Sequence, residues 1–271
     1  MADDTVDYGA LPFTEQIQFF LRKLNIPTHR WTDVWKDAHD SGFMVAGAYQ
    51  AQLLQDLRDA VQKAITDGTT LEQFRKDFAD IVAEHGWSYN GGFGWRTNVI
   101  YETNLRTSYQ AGRYVQLTDP ELLAERPFWR YVHSDLVKHP RMQHLAWNNL
   151  VLPADDPWWR IHFPPNDWGC QCTVYAESLA SIARKGYQVA PSAPRVNYVE
   201  QTIGERSGNP QTVTVPEGVG PGWDYAPGAS QADQVREAVK QTAEQLSDAL
   251  AAELLAYMQE IPPPPKAPEA T

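Results

Sequence analysis

Apolar residues recur every three or four positions through most of the first 117 residues, the spacing of helices that bury one face. Over residues 12–25 the stripe is Ile17, Phe20, Leu21 and Leu24. Over 45–67 it is Leu54, Leu57, Val61 and Ile65, and Gly68 supplies the stop, because glycine accepts the left-handed conformation in which helices commonly end. Thr70-Leu71-Glu72-Gln73 has the Thr-x-x-Gln form of a capping box. One apolar face (Leu71, Phe74, Phe78, Ile81, Val82) follows it as far as Gly86. A glycine-rich loop at 88–94 leads into a third long helix predicted over 95–117.

Near Phe128 the period drops from 3.6 to 2. Phe128-Trp129-Arg130-Tyr131-Val132 alternates like a strand, and further short strands are predicted at 150–153, 160–163 and 172–175. Short helices are predicted at 139–147, with Pro140 in the first turn, and at 178–185, stopped by Gly186. Residues 190–229 are rich in Pro and Gly, with β-prone pieces such as 211–215. Ser230 caps a last helix whose Val235, Val239, Leu246, Leu250 and Leu254 lie near heptad spacing, and Pro262–Pro265 end it in a stiff tail. That helix either self-associates or packs on its own domain. The pattern predicts an α+β fold in four divisions: a helical region at 1–90, an α+β domain at 91–185, an extended segment at 186–229, and a helix with a proline tail at 230–271. No internal repeat is apparent.

Composition narrows the function. A chain of 271 residues with 42% hydrophobic and 21% charged residues is ordinary globular protein. No apolar run approaches a membrane span, and the start, Met1-Ala2-Asp3-Asp4, has no secretory character. The net charge of −11 argues against broad binding of a phosphate backbone, so any contact with DNA is local. Ten tryptophans serve either core packing or protein–protein anchoring.

Two stretches carry candidate chemistry. Thr103, Arg106, Gln110 and Arg113 form one polar line along the third long helix, with Thr and Asn residues beside it. These are weak helix formers, and a merely solvated face is better served by Glu and Lys. The line is therefore expected to pack against something polar. The second stretch holds the chain's two cysteines, in Asp167-Trp168-Gly169-Cys170-Gln171-Cys172. C-x-C spacing strains a mutual disulfide. The pair either joins His144 and one of Asp135, His139, His162 or Asp167 in a zinc site, or is a buried pair in a tight turn. A Cys–His nucleophile lacks a recognisable oxyanion element. A metal-stabilised enzyme of nuclease or transferase type, built on His144, Asp135 and Arg106, is the alternative the residue types permit. The glycines at 91–94 lack a following Lys-Ser/Thr, so no phosphate loop is supported.

Several segments together resemble the phage Mu F-like head morphogenesis family. They are Trp95-Arg96-Thr97, the run Ile100–Arg106, Ala111-Gly112-Arg113-Tyr114, Asp135 followed by His144, and the closing motif Phe163–Cys172. Pro221–Gly228 resembles a motif of the Mu-type branch, with Ala226 where that pattern has Asn. The resemblance covers about residues 10–230. It implies a minor head protein of a phage or prophage, acting in capsid morphogenesis at the portal vertex and in DNA packaging or delivery. Its partners are then the portal and other capsid proteins, and its places the virion and, during assembly, the host cytoplasm. The helical N-terminal part is expected to act as an adaptor. Asp135 and His144 are expected to face Arg106 and Arg113, while Cys170 and Cys172 fix the closing turn.

Overall fold

The computed structural model describes residues 12–137, 139–205 and 208–231. The predicted terminal helix and proline tail lie outside them, apart from Ser230 and Gln231. The order is α1 (Thr14–Leu21), β1 (Leu24–Asn25), α2 (Ala38–Ser41), β2 (Gly42–Phe43), α3 (Ala51–Asp67), α4 (Leu71–His85), α5 (Phe93–Leu117) and α6 (Pro120–Glu125). Then come β3 (Phe128–Val132), α7 (Met142–Ala146), β4 (Val151–Pro153), α8 (Trp159–His162), β5 (Thr173–Glu177), α9 (Leu179–Lys185), β6 (Tyr198–Ile203) and β7 (Gln211–Pro216). The fold is α+β, as the change of period predicts. No helix among the described residues is long and apolar enough to cross a membrane.

Two cores share one helix. The first is helical and gathers Phe20, Phe43, Leu54, Leu57, Phe74 and Phe78 with Ile100 of α5. The second gathers Tyr114 and Leu117 from the other end of α5 with Trp129, Trp159, Phe163 and Val174. α5 is therefore the beam that joins them. Close approach of α1 to α5 depends on Gly112, where an added Cβ would stand 2.7 Å from the Gln16 backbone nitrogen. Gln16 also reaches across to Ser108 Oγ at 3.0 Å.

The second core is built on a three-stranded antiparallel sheet in the order β4-β3-β5. Tyr131 pairs with Val174 and Val132 with Thr173. Period-two alternation puts Trp129, Tyr131 and His133 on one face of that ladder, opposite Cys172 and Val174. The other face carries Arg130 and Glu177, in a 2.9 Å ion pair. Ser181 and Lys185 of α9 complete it by donating to the Glu177 carboxylate, Lys185 at 2.7 Å.

Three local expectations are corrected. Residues 159–162 are helical, not a strand, because Asp156 accepts from the Trp158 N–H at 2.9 Å and starts a turn after Pro157. α3 starts at Ala51 rather than 45, since Gly47 sits at φ +86° in the loop before it. α7 starts at Met142, so Pro140 precedes the helix rather than entering its first turn. α6 is an addition, capped by the Asp119 side chain with Pro120 behind it.

The Pro/Gly-rich stretch is not a loose connector. β6 and β7 form a hairpin, and residues 217–229 then strap back over the second core and reach Asp40 of α2. Val219, Trp223 and Ala226 are buried in the second core. Trp223 meets Trp168 edge to face at 5.2 Å. Lys36 pairs with Asp224 at 2.7 Å. At the strap's end, Asp40 accepts from the Gly228 N–H and from Ser230 Oγ, each at 2.8 Å. Gly228 is at φ +89°, and a Cβ there would meet the Ala111 carbonyl at 3.0 Å, so both conformation and space require glycine.

Candidate metal centre

The β3–β5 register dictates the site. Val132 faces Thr173, so the next residues outward, His133 and Cys172, also come opposite each other. Their Nδ1 and Sγ atoms are 3.4 Å apart. α7 brings His144 in from the side, with Nδ1 at 3.7 Å from Cys172 Sγ and 3.8 Å from Cys170 Sγ. His144, Cys170 and Cys172 offer donor atoms that all lie within 4.8 Å of one another. The turn that delivers the cysteines is set by Gly169 at φ +69° and by the Cys170 N–H donating to the Asp167 carbonyl at 3.0 Å. Gln110 of α5 donates to the Cys172 carbonyl at 3.1 Å. All four side chains are buried, with exposures of 6% for His133, 2% for His144 and 3% for each cysteine.

A second layer orients the donors. His144 Nε2 lies 2.8 Å from the Gly218 carbonyl of the strap. That oxygen can only accept, so Nε2 carries the proton and Nδ1 presents its lone pair to the sulfurs. The His144 ring also stacks on Trp147 at 5.3 Å. The backbone N–H of Asn166 donates toward Cys170, and that of Ser134 toward Cys172. The Cys172 thiol hydrogen-bonds Cys170 and, against the effect of burial, holds the Cys170 sulfur well below the ordinary thiol range, with His144 adding to the effect. The same bond and burial push Cys172 up. Tyr131 closes the floor, its hydroxyl donating to Asn166 Oδ1 at 2.9 Å.

The family model described as Phage Mu protein F like protein matches residues 55–175, a span that holds all four of these side chains. A protein of Escherichia phage Mu named as capsid assembly protein F is 32% identical over 260 residues, which is 85% of this chain and 58% of that protein. The Mu-like prophage FluMu F protein of Haemophilus influenzae is 33% identical over 223 residues, 75% of this chain and 53% of that protein. The chain belongs to the phage Mu F-like family. It spans a little over half the length of these curated relatives. No solved structure matches it.

The other polar residues singled out in this Mu F-like chain do not form one cluster with His144. Arg106 pairs with Glu102 one turn back, at 2.8 Å, and Arg113 donates to Gln116 at 2.6 Å. Partners one helical turn away need no tertiary ordering, so these bonds are made within α5 and not with Asp135 or His144. Asp135 lies exposed on the turn after β3. Thr103 is half-buried on α5. The residue of the polar line that does reach the site is Gln110. Arg106 lines a cleft of about 460 Å³ with Gln110, Cys170 and Cys172, while His144 approaches the sulfurs from α7.

Of the four residues considered as a further metal ligand, none faces the sulfurs. His162 stacks on Trp158 at 4.1 Å with Nδ1 at 3.0 Å from the Trp158 carbonyl, and burial pushes it down to about 4. Asp167 is held by Arg141 at 2.9 Å. Asp135 and His139 are exposed. His133 is there instead. It stands in the sequence just past a predicted strand, and pairing that strand with the one after Cys172 is the step that exposes it.

Proposed function

We propose that this chain is a minor head protein of a phage or prophage, acting in capsid morphogenesis at the portal vertex with a role in DNA packaging or delivery. The observation that carries the reading is its alignment over 85% of its length with a phage Mu protein named for capsid assembly. In this reading the helices up to about residue 90 serve as an adaptor and residues 91–185 as the Mu F-like module. The partners are the portal and other capsid proteins, met in the host cytoplasm during assembly and kept in the virion. Leu136, Met142 and Leu145, exposed between β3 and β4, are apolar side chains of the kind that anchor such contacts. The net charge of −11 restricts contact with phage DNA to local patches.

The test is removal of the coding segment from the phage or prophage that carries it, followed by electron microscopy of the particles and crosslinking of the intact chain in wild-type heads. Loss of full heads, with crosslinks to the portal, is the expected result. Normal yields of full, infectious particles without the chain would overturn the assembly role. Heads lost but crosslinks found only to the shell protein would overturn the portal placement.

A further inference from the structure

We propose that His133, His144, Cys170 and Cys172 together bind one zinc ion, which ties the sheet, α7 and the C-terminal strap into a single unit. The first support is geometry. Zinc bonds of ~2.3 Å to sulfur and ~2.1 Å to nitrogen at a tetrahedral angle place a sulfur and a nitrogen ligand ~3.6 Å apart. Three of the four sulfur–nitrogen pairs are already close to this, His144 at 3.7 and 3.8 Å from the two sulfurs and His133 at 3.4 Å from Cys172. His144 Nδ1 and the two sulfurs already stand as three corners of a tetrahedron that an ion would centre, and a change in the His133 side-chain torsions, from its place beside Cys172 Sγ, would complete it.

The second support is donor type. Two thiols and two imidazoles form the Cys2His2 set, whose borderline-soft character selects zinc over the hard cations that prefer oxygen. The third is the layer behind the donors. A ligating histidine usually gives its remote N–H to a carbonyl, as His144 does to Gly218. Backbone N–H groups from Asn166 and Ser134 aim at the two sulfurs, which suits thiolates that keep part of their negative charge on a metal. The fourth is burial. All four side chains are 6% exposed or less, and a zinc ion whose four ligands all come from the protein is structural.

The consequence is specific to this fold. His133 belongs to the end of β3, His144 to α7 and the cysteines to the turn before β5, while Gly218 ties the strap to His144. One ion would hold segments up to 39 residues apart in the ligand set and fix the strap through its outer-layer carbonyl. This inference does not depend on the assembly role.

The experiment uses the full chain, purified without added metal, with zinc measured by elemental analysis and then removed by a chelator. The stripped protein is titrated with zinc, and in parallel with cobalt(II), whose visible absorption reports tetrahedral thiolate coordination. The expected result is one equivalent of zinc, a fall in melting temperature on chelation that zinc restores, and the cobalt spectrum of a two-thiolate tetrahedral site. His133→Ala is expected to weaken zinc by at least the roughly 10–100-fold that loss of an outer-layer partner costs. Cys170→Ser with Cys172→Ser is expected to abolish the cobalt charge-transfer band. If those variants fail to fold, the wild-type spectrum and chelation shift decide alone. Zinc retained by the double cysteine variant would mark adventitious binding and overturn the proposal. So would a metal-free chain with two free thiols and no thermal response to zinc. Affinity unchanged in a folded His133→Ala would overturn the four-ligand assignment.

Discussion

Glu177 is the residue whose change has the most calculable effect. It is fully buried at the end of β5, and its carboxylate takes Arg130 at 2.9 Å, Lys185 at 2.7 Å and the Ser181 hydroxyl. Burial by itself raises a carboxyl. Here the hydrogen bonds from Lys185, Ser181 and Arg130 win, and the group is held at about 2 rather than 4.5. A carboxyl whose folded value is depressed stabilises the fold above its unfolded value, and that stability is lost as pH falls through the folded one. The gap between 4.5 and about 2, at about 1.4 kcal/mol per pH unit, is about 3 kcal/mol. An independent route agrees, since removing one partner of a buried ion pair costs about 3–5 kcal/mol. Glu177→Gln keeps the shape and removes the charge. Urea unfolding followed by the fluorescence of the buried tryptophans should show it about 3 kcal/mol less stable at neutral pH. The difference between the two proteins should shrink steadily as pH falls from 4.5 toward 2. A variant as stable as the parent at neutral pH, or a deficit that does not change with pH, would refute the reasoning.

Two further predictions concern packing between distant segments. Gly112→Ala should push α1 off α5, because the new Cβ would meet the Gln16 backbone nitrogen at 2.7 Å and the Phe13 ring at 2.8 Å. The expected loss is about 1–3 kcal/mol, read as a lowered melting temperature; an unchanged value would mean that α1 is free to shift. Asp40→Ala should release the strap end by removing the acceptor for Gly228 and Ser230. A loss of about 1–2 kcal/mol is expected, two hydrogen bonds at about 1 kcal/mol each less the relief of a buried carboxyl, with faster limited proteolysis in residues 217–231, and an unaltered cleavage pattern would count against it. Burial raises the Asp40 carboxyl to about 6, with Lys23 opposing. The stabilising form is therefore the protonated one, and the parent's own stability from this group should decline between its ordinary 3.8 and about 6 as pH rises.

Much of the local structure is legible in the residues alone, because its causes are local. Gly68, Gly86 and Gly186 end α3, α4 and α9 in the left-handed conformation, and Thr70 and Ser178 cap the helices that follow them. Of the polar line along α5, Gln110 donates across to the Cys172 carbonyl. What is not legible is anything set by register or by a distant segment. His133 becomes a neighbour of Cys172 only through the pairing of β3 with β5. Asp40 finds its partners 188 and 190 residues away. The short apolar run at 160–163 has no period that separates strand from helix, and the turn that Asp156 makes with the Trp158 N–H before it leads into the helix. The expected Arg–Asp–His cluster fails for the opposite reason. Arg106 and Arg113 satisfy themselves within their own helix, and residue type alone cannot show that.

The strap changes what counts as a folding unit. The span matched by the family model ends at residue 175, yet Val219, Trp223 and Ala226 fill the core that this span builds. A protein excised at that boundary would lose Val219, Trp223 and Ala226 from the core, would uncover Trp147 where Gly218 lies against it, and would leave the His144 ring without the carbonyl that orients it. During synthesis the same arithmetic applies. The N-terminal helices are complete long before Gly228 emerges, but Asp40 waits for it. Asp40, near the start of the chain, is partnered by almost the last described residues, so the helical N-terminal region and the sheet-built core mature together rather than one after the other.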